Sequence, residues 1–334
     1  MATVDVTVMG AGVFGLSVGY ACAARGARVR VIDPRGVGAG ASGGLVGALA
    51  PHVPENWNDK KMFQFESLIM AEGFWKRVCA LAGMDAGYLR SGRLQPLSDD
   101  RAVVLARARS QSAAELWQGK AVWEVIAADD DPWMPRSESG LVVRDTLSAL
   151  IQPRKATEAL AQAIVQMGGE ITQEGAQSGK VVWATGWDGL KEIGGAGVKG
   201  QAALLDHDAA GRPQLFADAL HFIPHTDGTV AVGSTSERAF DAPQTTDGQL
   251  DDVLARAIRA VPALAGAQVI ARWAGVRPRS KSRAPVLGAH PVHDGAFIAN
   301  GGFKIGFGMA PKVGEVMADL LLDGIDRIPD GFRA

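Results

Sequence analysis

The sequence predicts a mixed α/β fold, on three observations. A strand, a glycine-rich turn, a helix and a second strand are complete within residues 4–33. Between residues 202 and 232, apolar and polar residues alternate in short runs divided by turn signals, the pattern of an antiparallel sheet. The chain closes on a strand, a second glycine-rich turn and a helix over residues 296–322. With 334 residues, 47% apolar and 21% charged, the chain suffices for a large core and about two domains.

Val4, Val6 and Val8 alternate with Asp5 and Thr7, which makes the first element a strand. Gly10, Gly12 and Gly15 interrupt the apolar run, and residues 13–25 are good helix formers closed by Gly26, the residue type that takes a left-handed C-terminal cap. A second strand follows at 29–33. Helices are predicted over 60–81 and 99–117, and a Pro/Asp-rich break occupies 129–135. A strand-like stretch at 141–143 leads to Pro153, which suits the first position of a helix because its φ is already helical. That helix runs to Met167, capped by Gly168 and Gly169, and residues 180–184 form the next strand. Segments 202–205, 221–224 and 229–232, with turns at 208–211 and at Asp227-Gly228, predict antiparallel strands in a sheet of their own. The last strand spans 296–299, and the last helix spans 310–322 with Val313, Met317, Leu320 and Leu321 on one face.

Composition excludes several functions. The 34 Lys+Arg against 36 Asp+Glu give a net charge of −2, and the one basic cluster, at 277–283, is too short for an electrostatic footprint on nucleic acid, so no nucleic-acid partner is expected. Two cysteines, Cys22 and Cys79, exclude a disulfide framework and a thiolate metal cage and point to a reducing compartment, the cytoplasm by default. The first apolar run has neither a basic leader nor a small-residue cleavage site, and no run approaches the ~18–20 apolar residues of a membrane span. The six histidines show no metal-ligand spacing, so no metal is expected. No Ser-His-Asp or Cys-His arrangement is legible, and the sequence is silent on oligomeric state.

Gly10-Ala11-Gly12-Val13-Phe14-Gly15 lies between a predicted strand and a predicted helix, the context in which G-x-G-x-x-G binds a dinucleotide. Gly10 allows the tight turn, Gly12 admits a pyrophosphate close to the backbone, Gly15 lets helix and strand pack, and the helix N-terminus attracts the anion. Asp33, 18 residues after Gly15, is placed to accept hydrogen bonds from a ribose. The motif serves NAD and FAD alike. Three further backbone-exposing segments favour the longer cofactor: residues 41–48, Ala184-Thr185-Gly186, and Gly301-Gly302-Phe303-Lys304-Ile305-Gly306. An NAD-dependent dehydrogenase accounts for the first 33 residues but gives the 301–311 turn no purpose.

These segments, together with Ala41-Ser42-Gly43-Gly44, Gln152-Pro153-Arg154-Lys155, Lys199-Gly200-Gln201 and Val276-Arg277-Pro278, occur in an order that resembles the D-amino acid oxidase family of flavoproteins, nearest its glycine oxidase and D-amino acid dehydrogenase branch. The resemblance covers nearly the whole chain. It implies a Rossmann-type FAD-binding domain built from 1–85, 149–198 and 272–334, interleaved with an antiparallel-sheet substrate domain of 86–148 and 199–271. It implies FAD contacts at Gly10, Gly12, Val13, Phe14, Gly15, Asp33, Pro34, Ala41, Ser42, Gly43, Gly47 and Ala48, and again at Ala184, Thr185 and Gly186 and at Gly301, Gly302, Phe303, Lys304, Ile305 and Gly306. Arg277 would hold the substrate carboxylate, a task for a planar bidentate donor. The turn before the last helix would present amides and a positive dipole to the reduced flavin, with Lys304 as an added charge or a solvent-facing side chain.

Two departures from the family pattern stand out. The strand that usually carries a substrate-contacting tyrosine reads His221-Phe222-Ile223-Pro224-His225, which makes Phe222 an apolar pocket wall and favours less polar amines. The stretch between Ile171 and Lys180 is too short for the hairpin the family normally inserts. No histidine adjoins Ser42-Gly43 and no cysteine lies near Arg277, so the expected FAD is non-covalent. The implied activity is oxidative deamination of a small amino acid or amine, with hydride passing to flavin N5, the imine hydrolysed, and dioxygen or a quinone as acceptor. A secondary-amine oxidase acting on an N-methyl amino acid or modified nucleotide, and a non-catalytic flavoprotein subunit, are the alternatives.

Overall fold

The computed structural model describes residues 4–334. At its centre the strand Val6–Met9 is buried on both faces, with Val6, Thr7 and Val8 at 0% exposure, as a strand covered by helices on both sides must be. It pairs in parallel with Val29–Ile32 and with Lys180–Trp183, so that Val6 lies opposite both Val29 and Lys180. The full order is Val286–Ala289, Phe297–Asn300, Lys180–Trp183, Val6–Met9, Val29–Ile32, Glu170–Thr172, parallel except for the first pair. Helices Val13–Ala23, Pro153–Gln166 and Gly306–Ala318 pack together in one core with the long helix Asp59–Ala82. Gly314 makes one of these crossings possible, since a Cβ there would stand 2.6 Å from the carbonyl oxygen of Ser17. Each fully buried Val or Leu in this core stabilises the fold by about 1.5–3 kcal/mol.

A second, eight-stranded sheet runs in the order Gln268–Arg279, Ala196–Asp206, Thr229–Gly233, Leu220–Pro224, Gln214–Ala217, Arg93–Pro96, Leu141–Asp145, Trp123–Ala127. Its pairings are antiparallel apart from Gln214–Ala217 on Arg93–Pro96. Because side chains alternate along a strand, the two faces have separate partners. One face carries Ala203, Leu205, Phe222, Val230 and Val232 and is covered by Leu250, Val253 and Ala257 of the helix Gly248–Ala260. The other carries Ala202, Ile223, Ala231 and Trp273, packed with Leu45 and Leu150 next to the cleft between the sheets.

The expected helices at 60–81 and 99–117 are present as Asp59–Ala82 and Asp100–Leu116, capped at their N-termini by the side chains of Asn58 and Asp99. The basic cluster at 277–283 starts inside the twelve-residue strand Gln268–Arg279, which pairs along its length with Ala196–Asp206. One expectation differs from the structure. The last helix begins at Gly306, four residues before the expected start, with Pro311 inside it. Pro311 has no N–H to donate back to Phe307, but the turn closed by Ile305 N–H on the Gly302 carbonyl (2.9 Å) already starts the helix upstream.

Candidate active site

The cleft between the sheets encloses about 670 Å³ and is reached by all four backbone-exposing segments. Its first wall is the N-terminus of helix Val13–Ala23, whose N-cap, Gly12, has no side chain to satisfy the free amides. A Cβ at Gly12 would meet only Ser42 Oγ, at 3.3 Å, and one at Gly186 would meet nothing within 4 Å. Four other glycines are packing residues: a Cβ would stand 2.4 Å from the Ala184 oxygen at Gly10, 2.0 Å from the Gly10 oxygen at Gly15, 2.2 Å from the Gly38 oxygen at Gly43 and 1.9 Å from the Ile151 oxygen at Gly47. The fingerprint thus divides into glycines that hold the turn shut and glycines that leave its inner side bare.

Asp33 lines the cleft at the end of its strand, where its carboxylate accepts N–H groups from Ala11 (2.9 Å) and Arg35 (3.0 Å). Val13 N–H donates to Ser42 Oγ at 3.0 Å, which places Ser42 over the helix N-terminus. Val13, Phe14, Ala41, Ser42, Ala48, Ala184, Thr185, Gly186, Gly302, Phe303, Lys304 and Gly306 all line the cleft; Pro34, Gly301 and Ile305 stand outside its lining. Asn300, which the sequence reading missed, donates from Nδ2 to the Gly186 carbonyl (2.9 Å) and accepts from Gly301 N–H (2.8 Å), so one buried amide ties two cofactor-like segments together. The available signal was an asparagine at a strand end immediately before two glycines.

At the far end, Arg277 extends from its strand across Gly200 of the neighbouring one, where a Cβ would come within 2.0 Å of Nη2. Its guanidinium donates to Thr235 O (3.3 Å) and to Ser234 Oγ, and among the described residues no carboxylate lies within ion-pair distance of it. Burial pulls its pKa down to about 10 and Glu237 partly offsets this, so the group stays a cation at neutral pH. Glu237 is itself committed to the buried Lys199 ammonium (3.3 Å) and to Gln201 Nε2 (3.0 Å). Phe303 N–H donates to Pro278 O (3.1 Å), which ties the turn bearing Lys304 to the strand bearing Arg277. Burial, then the charge of Arg277, lowers the pKa of Lys304.

Phe222 is not a wall of this cleft. It is fully buried on the opposite face of the sheet, among Leu94, Leu215, Val232 and Leu250. The register pairs Phe222 with Val232 and His221 with Gly233, so the residue of this strand that shares a face with Ala202 and Ile223 is His221. Its Nδ1 is buried without a hydrogen-bond partner, and the ring packs on Phe216 with centroids 4.8 Å apart. Burial, followed by the charges of Arg93, Lys304 and Arg277, pushes its pKa down to about 3, so the ring is neutral. The expectation of a pocket walled by Phe222 came from a one-residue offset, which in a strand exchanges faces.

The histidine spacing carried no metal signal, yet the fold brings Glu192, His290 and His293 together with ligand atoms within 4.8 Å of one another. His290 Nδ1 accepts N–H groups from Val292 (3.2 Å) and His293 (3.1 Å), which leaves the neutral ring's proton on Nε2. His293 stacks on Trp183 at 4.6 Å and meets Glu192 at 3.0 Å. His290 Nδ1 is thereby engaged by its own loop, while His293 and Glu192 pair with each other. Among the described residues, no helix is long and apolar enough to cross a membrane.

Comparison with known proteins adds to this geometry. A family profile described as "DAO: FAD dependent oxidoreductase" matches residues 5–320. A glycine oxidase of Pseudomonas putida (strain KT2440) is 29% identical over 357 residues, covering 95% of this chain and 94% of that protein. The bifunctional protein ThiO/ThiG of Synechocystis sp. (strain PCC 6803) is 27% identical over 341 residues; the match covers 96% of this chain, which spans about half of that relative's length. The crystal structure of glycine oxidase from Geobacillus kaustophilus superposes with a TM-score of 0.85 over 98% of this chain and 97% of that one, at 20% identity, a likeness of fold.

Proposed function

The chain belongs to the DAO family of FAD dependent oxidoreductases, and from that premise we propose that it oxidatively deaminates a small amino acid or amine in the cleft. The observation that carries this reading is the pairing of two features within one cleft: a helix N-terminus bared by Gly12, and a half-buried arginine without a carboxylate partner among the described residues. The residues suit FAD. Gly12 and Gly186 leave room beside free amides for a pyrophosphate, Asp33 retains lone pairs for a ribose, and the N-terminus of helix Gly306–Ala318 opens on the cleft with a positive dipole. Bound there, FAD supplies the acceptor for the hydride that leaves the carbon bearing the amine.

The protein's own part is binding and proton balance. Arg277 takes the α-carboxylate in its planar fork, which fixes the carbon to be oxidised. Lys304 lines the same end, where the cleft has no carboxylate, so a substrate ammonium entering it gives up its proton to water more readily. The two acids lining the cleft, Asp33 and Asp188, belong to the Gly12 end.

In this reading the segments 1–85, 149–198 and 272–334 form the cofactor-binding part and 86–148 with 199–271 the substrate part. The FAD is non-covalent, as the cleft lining contains no histidine or cysteine among the described residues. Dioxygen or a quinone reoxidises it. The Cys22 thiol, buried and pushed up to about 12, is inert and suits the reducing cytoplasm. The test is the visible spectrum of the purified protein before and after anaerobic addition of glycine, sarcosine, D-alanine and larger D-amino acids. A colourless protein that FAD does not reconstitute, or a flavin that none of these bleaches, overturns the reading.

A further inference from the structure

The sheet is irregular where it supports Arg277. Ala202 pairs with Gly233 but Lys199 pairs with Glu237, so three steps along the strand Ala196–Asp206 are matched by four along its neighbour. The extra residue falls at Ser234-Thr235 and makes a β-bulge, a device that re-aims the groups around it. Beyond it the ladder resumes, with N–H to carbonyl bonds of 2.9 Å in both directions between Lys199 and Glu237. Regular pairing would join the main chains of Gln201 and Thr235 in the same reciprocal way. Thr235 N–H does donate to Gln201 O (3.3 Å), but Gln201 N–H donates to the side-chain Oγ1 of Thr235 (2.8 Å) and not to its carbonyl. The hydroxyl has taken the place of its own carbonyl in the ladder, and the released carbonyl accepts Nη1 of Arg277 (3.3 Å).

The surroundings fix this exchange. The Thr235 hydroxyl gives its proton to Glu237, whose carboxylate is held by Lys199 Nζ (3.3 Å) and Gln201 Nε2 (3.0 Å), so its lone pairs remain for Gln201 N–H. Lys199 and Gln201 are 3% and 0% exposed, which keeps water from competing. Ser234, the other residue of the bulge, lines the cleft and accepts Nη2 of Arg277 on its Oγ. The guanidinium is thus gripped on one side, and its other N–H groups are left for a carboxylate.

We propose that Thr235 is a positioning residue for Arg277: its hydroxyl stands in for its carbonyl in the sheet, so that the carbonyl can hold the guanidinium over the cleft. The inference rests on the reading of Arg277 as the carboxylate anchor and deepens it. It also gives the Lys199-Gly200-Gln201 motif a purpose, since Gly200 is the floor beneath the arginine and its two neighbours secure Thr235. Without the hydroxyl, the buried Gln201 N–H takes the regular acceptor, the carbonyl of residue 235, and Arg277 loses its support.

Titration calorimetry on the holoenzyme compares propionate, an unreactive carboxylate, with propionamide, its neutral isostere. Thr235→Val should bind propionate roughly 10-fold more weakly or worse, the lower end for a hydrogen bond to a charged group, with propionamide binding, flavin content and melting temperature near wild type. Thr235→Ser, which restores the hydroxyl, should restore propionate binding, and Thr235→Ala repeats the test without a branched side chain. Wild-type propionate affinity in both Thr235→Val and Thr235→Ala overturns the inference. Loss of flavin or of melting temperature in both, or equal weakening of the two probes, also overturns it and makes Thr235 a residue of the sheet alone. If Arg277→Ala weakens propionate while the Thr235 variants do not, the anchor stands and only this inference falls. If the wild type does not distinguish propionate from propionamide, the anchor falls and the inference with it. A propionate preference in a protein whose flavin no amine bleaches removes the oxidase reading and leaves the supported anchor standing.

Discussion

The guanidinium of Arg277 lies so close over Gly200, on the adjacent strand, that a Cβ there would stand 2.0 Å from Nη2 and 2.3 Å from Cζ. Strand pairing sets this relationship, since Gly200 pairs with Gly275 and Arg277 follows two residues on, facing the same side. The glycine provides the trough in which the arginine rests. Gly200→Ala should therefore displace Arg277 without unfolding the sheet, because the colliding atoms are the far end of a flexible side chain. The expected outcome is a roughly 10-fold or larger rise in KM for amino acids with flavin retention unchanged. Wild-type KM in this variant would show that the trough does not position the anchor.

Arg277→Ala should raise KM more strongly, by roughly 30- to 5,000-fold, the range for removing one partner of a largely desolvated charge pair at about 2–5 kcal/mol. Arg277→Lys should recover only part, because one ammonium cannot reproduce the planar fork. Steady-state kinetics on amino acids and on amines without a carboxylate make the check. If both classes lose equally, or if flavin is lost, Arg277 does not serve as the substrate anchor.

The glycines of the fingerprint should separate into two phenotypes. Gly12→Val should leave the apoprotein's melting temperature near wild type, since a Cβ there meets only Ser42 Oγ, but should abolish flavin retention. Gly15→Ala should instead destabilise the fold, because its Cβ would stand 2.0 Å from the Gly10 carbonyl oxygen. Thermal melts with and without added FAD read both. Normal flavin content in Gly12→Val would make the cradle assignment untenable.

Phe222→Ala should cost about 3–5 kcal/mol of stability, as truncating a fully buried aromatic does. The ranking of substrates should stay as in wild type, because Phe222 lies on the face of the sheet turned away from the cleft. Urea melts and a substrate panel on this variant make the check. A changed substrate ranking without loss of stability would return Phe222 to the pocket wall.

Acid should weaken the fold before the carboxylates titrate. His221 is held neutral in the folded protein with its pKa pushed down to about 3, whereas the unfolded chain takes up a proton near pH 6.5. Between those values the unfolded state binds more protons, so the contribution is complete above pH 6.5 and is lost as pH falls towards 3. At pH 5 the loss is at most about 2 kcal/mol from this group. His52, His225 and His290, lowered chiefly by burial, add with the same sign. His221→Gln should show a smaller drop in melting temperature between pH 7.5 and pH 5 than wild type; an identical drop refutes the assignment.

Much of the architecture was legible because it is written in local pattern. The strand of alternating valines, the glycines of the first turn, Pro153 at a helix start and the alternating runs from 202 to 232 each carry their conformation in adjacent residues. The order of motifs along the chain was enough to recognise the family. Tertiary structure alone decided the rest. Which glycines face the cleft and which face a carbonyl depends on segments more than a hundred residues away, such as Ala184 over Gly10 and Ile151 over Gly47. That Phe222 faces the helix Gly248–Ala260 and not the cleft depends on register against Thr229–Gly233, and a period-two strand looks the same from either side until its neighbour is known. The unpaired state of Arg277 and Lys304 was equally hidden, because ion pairing is a property of what the fold brings within reach: Asp188 reaches Arg35 and Asp251 reaches Arg272, while no acid among the described residues pairs with the other two.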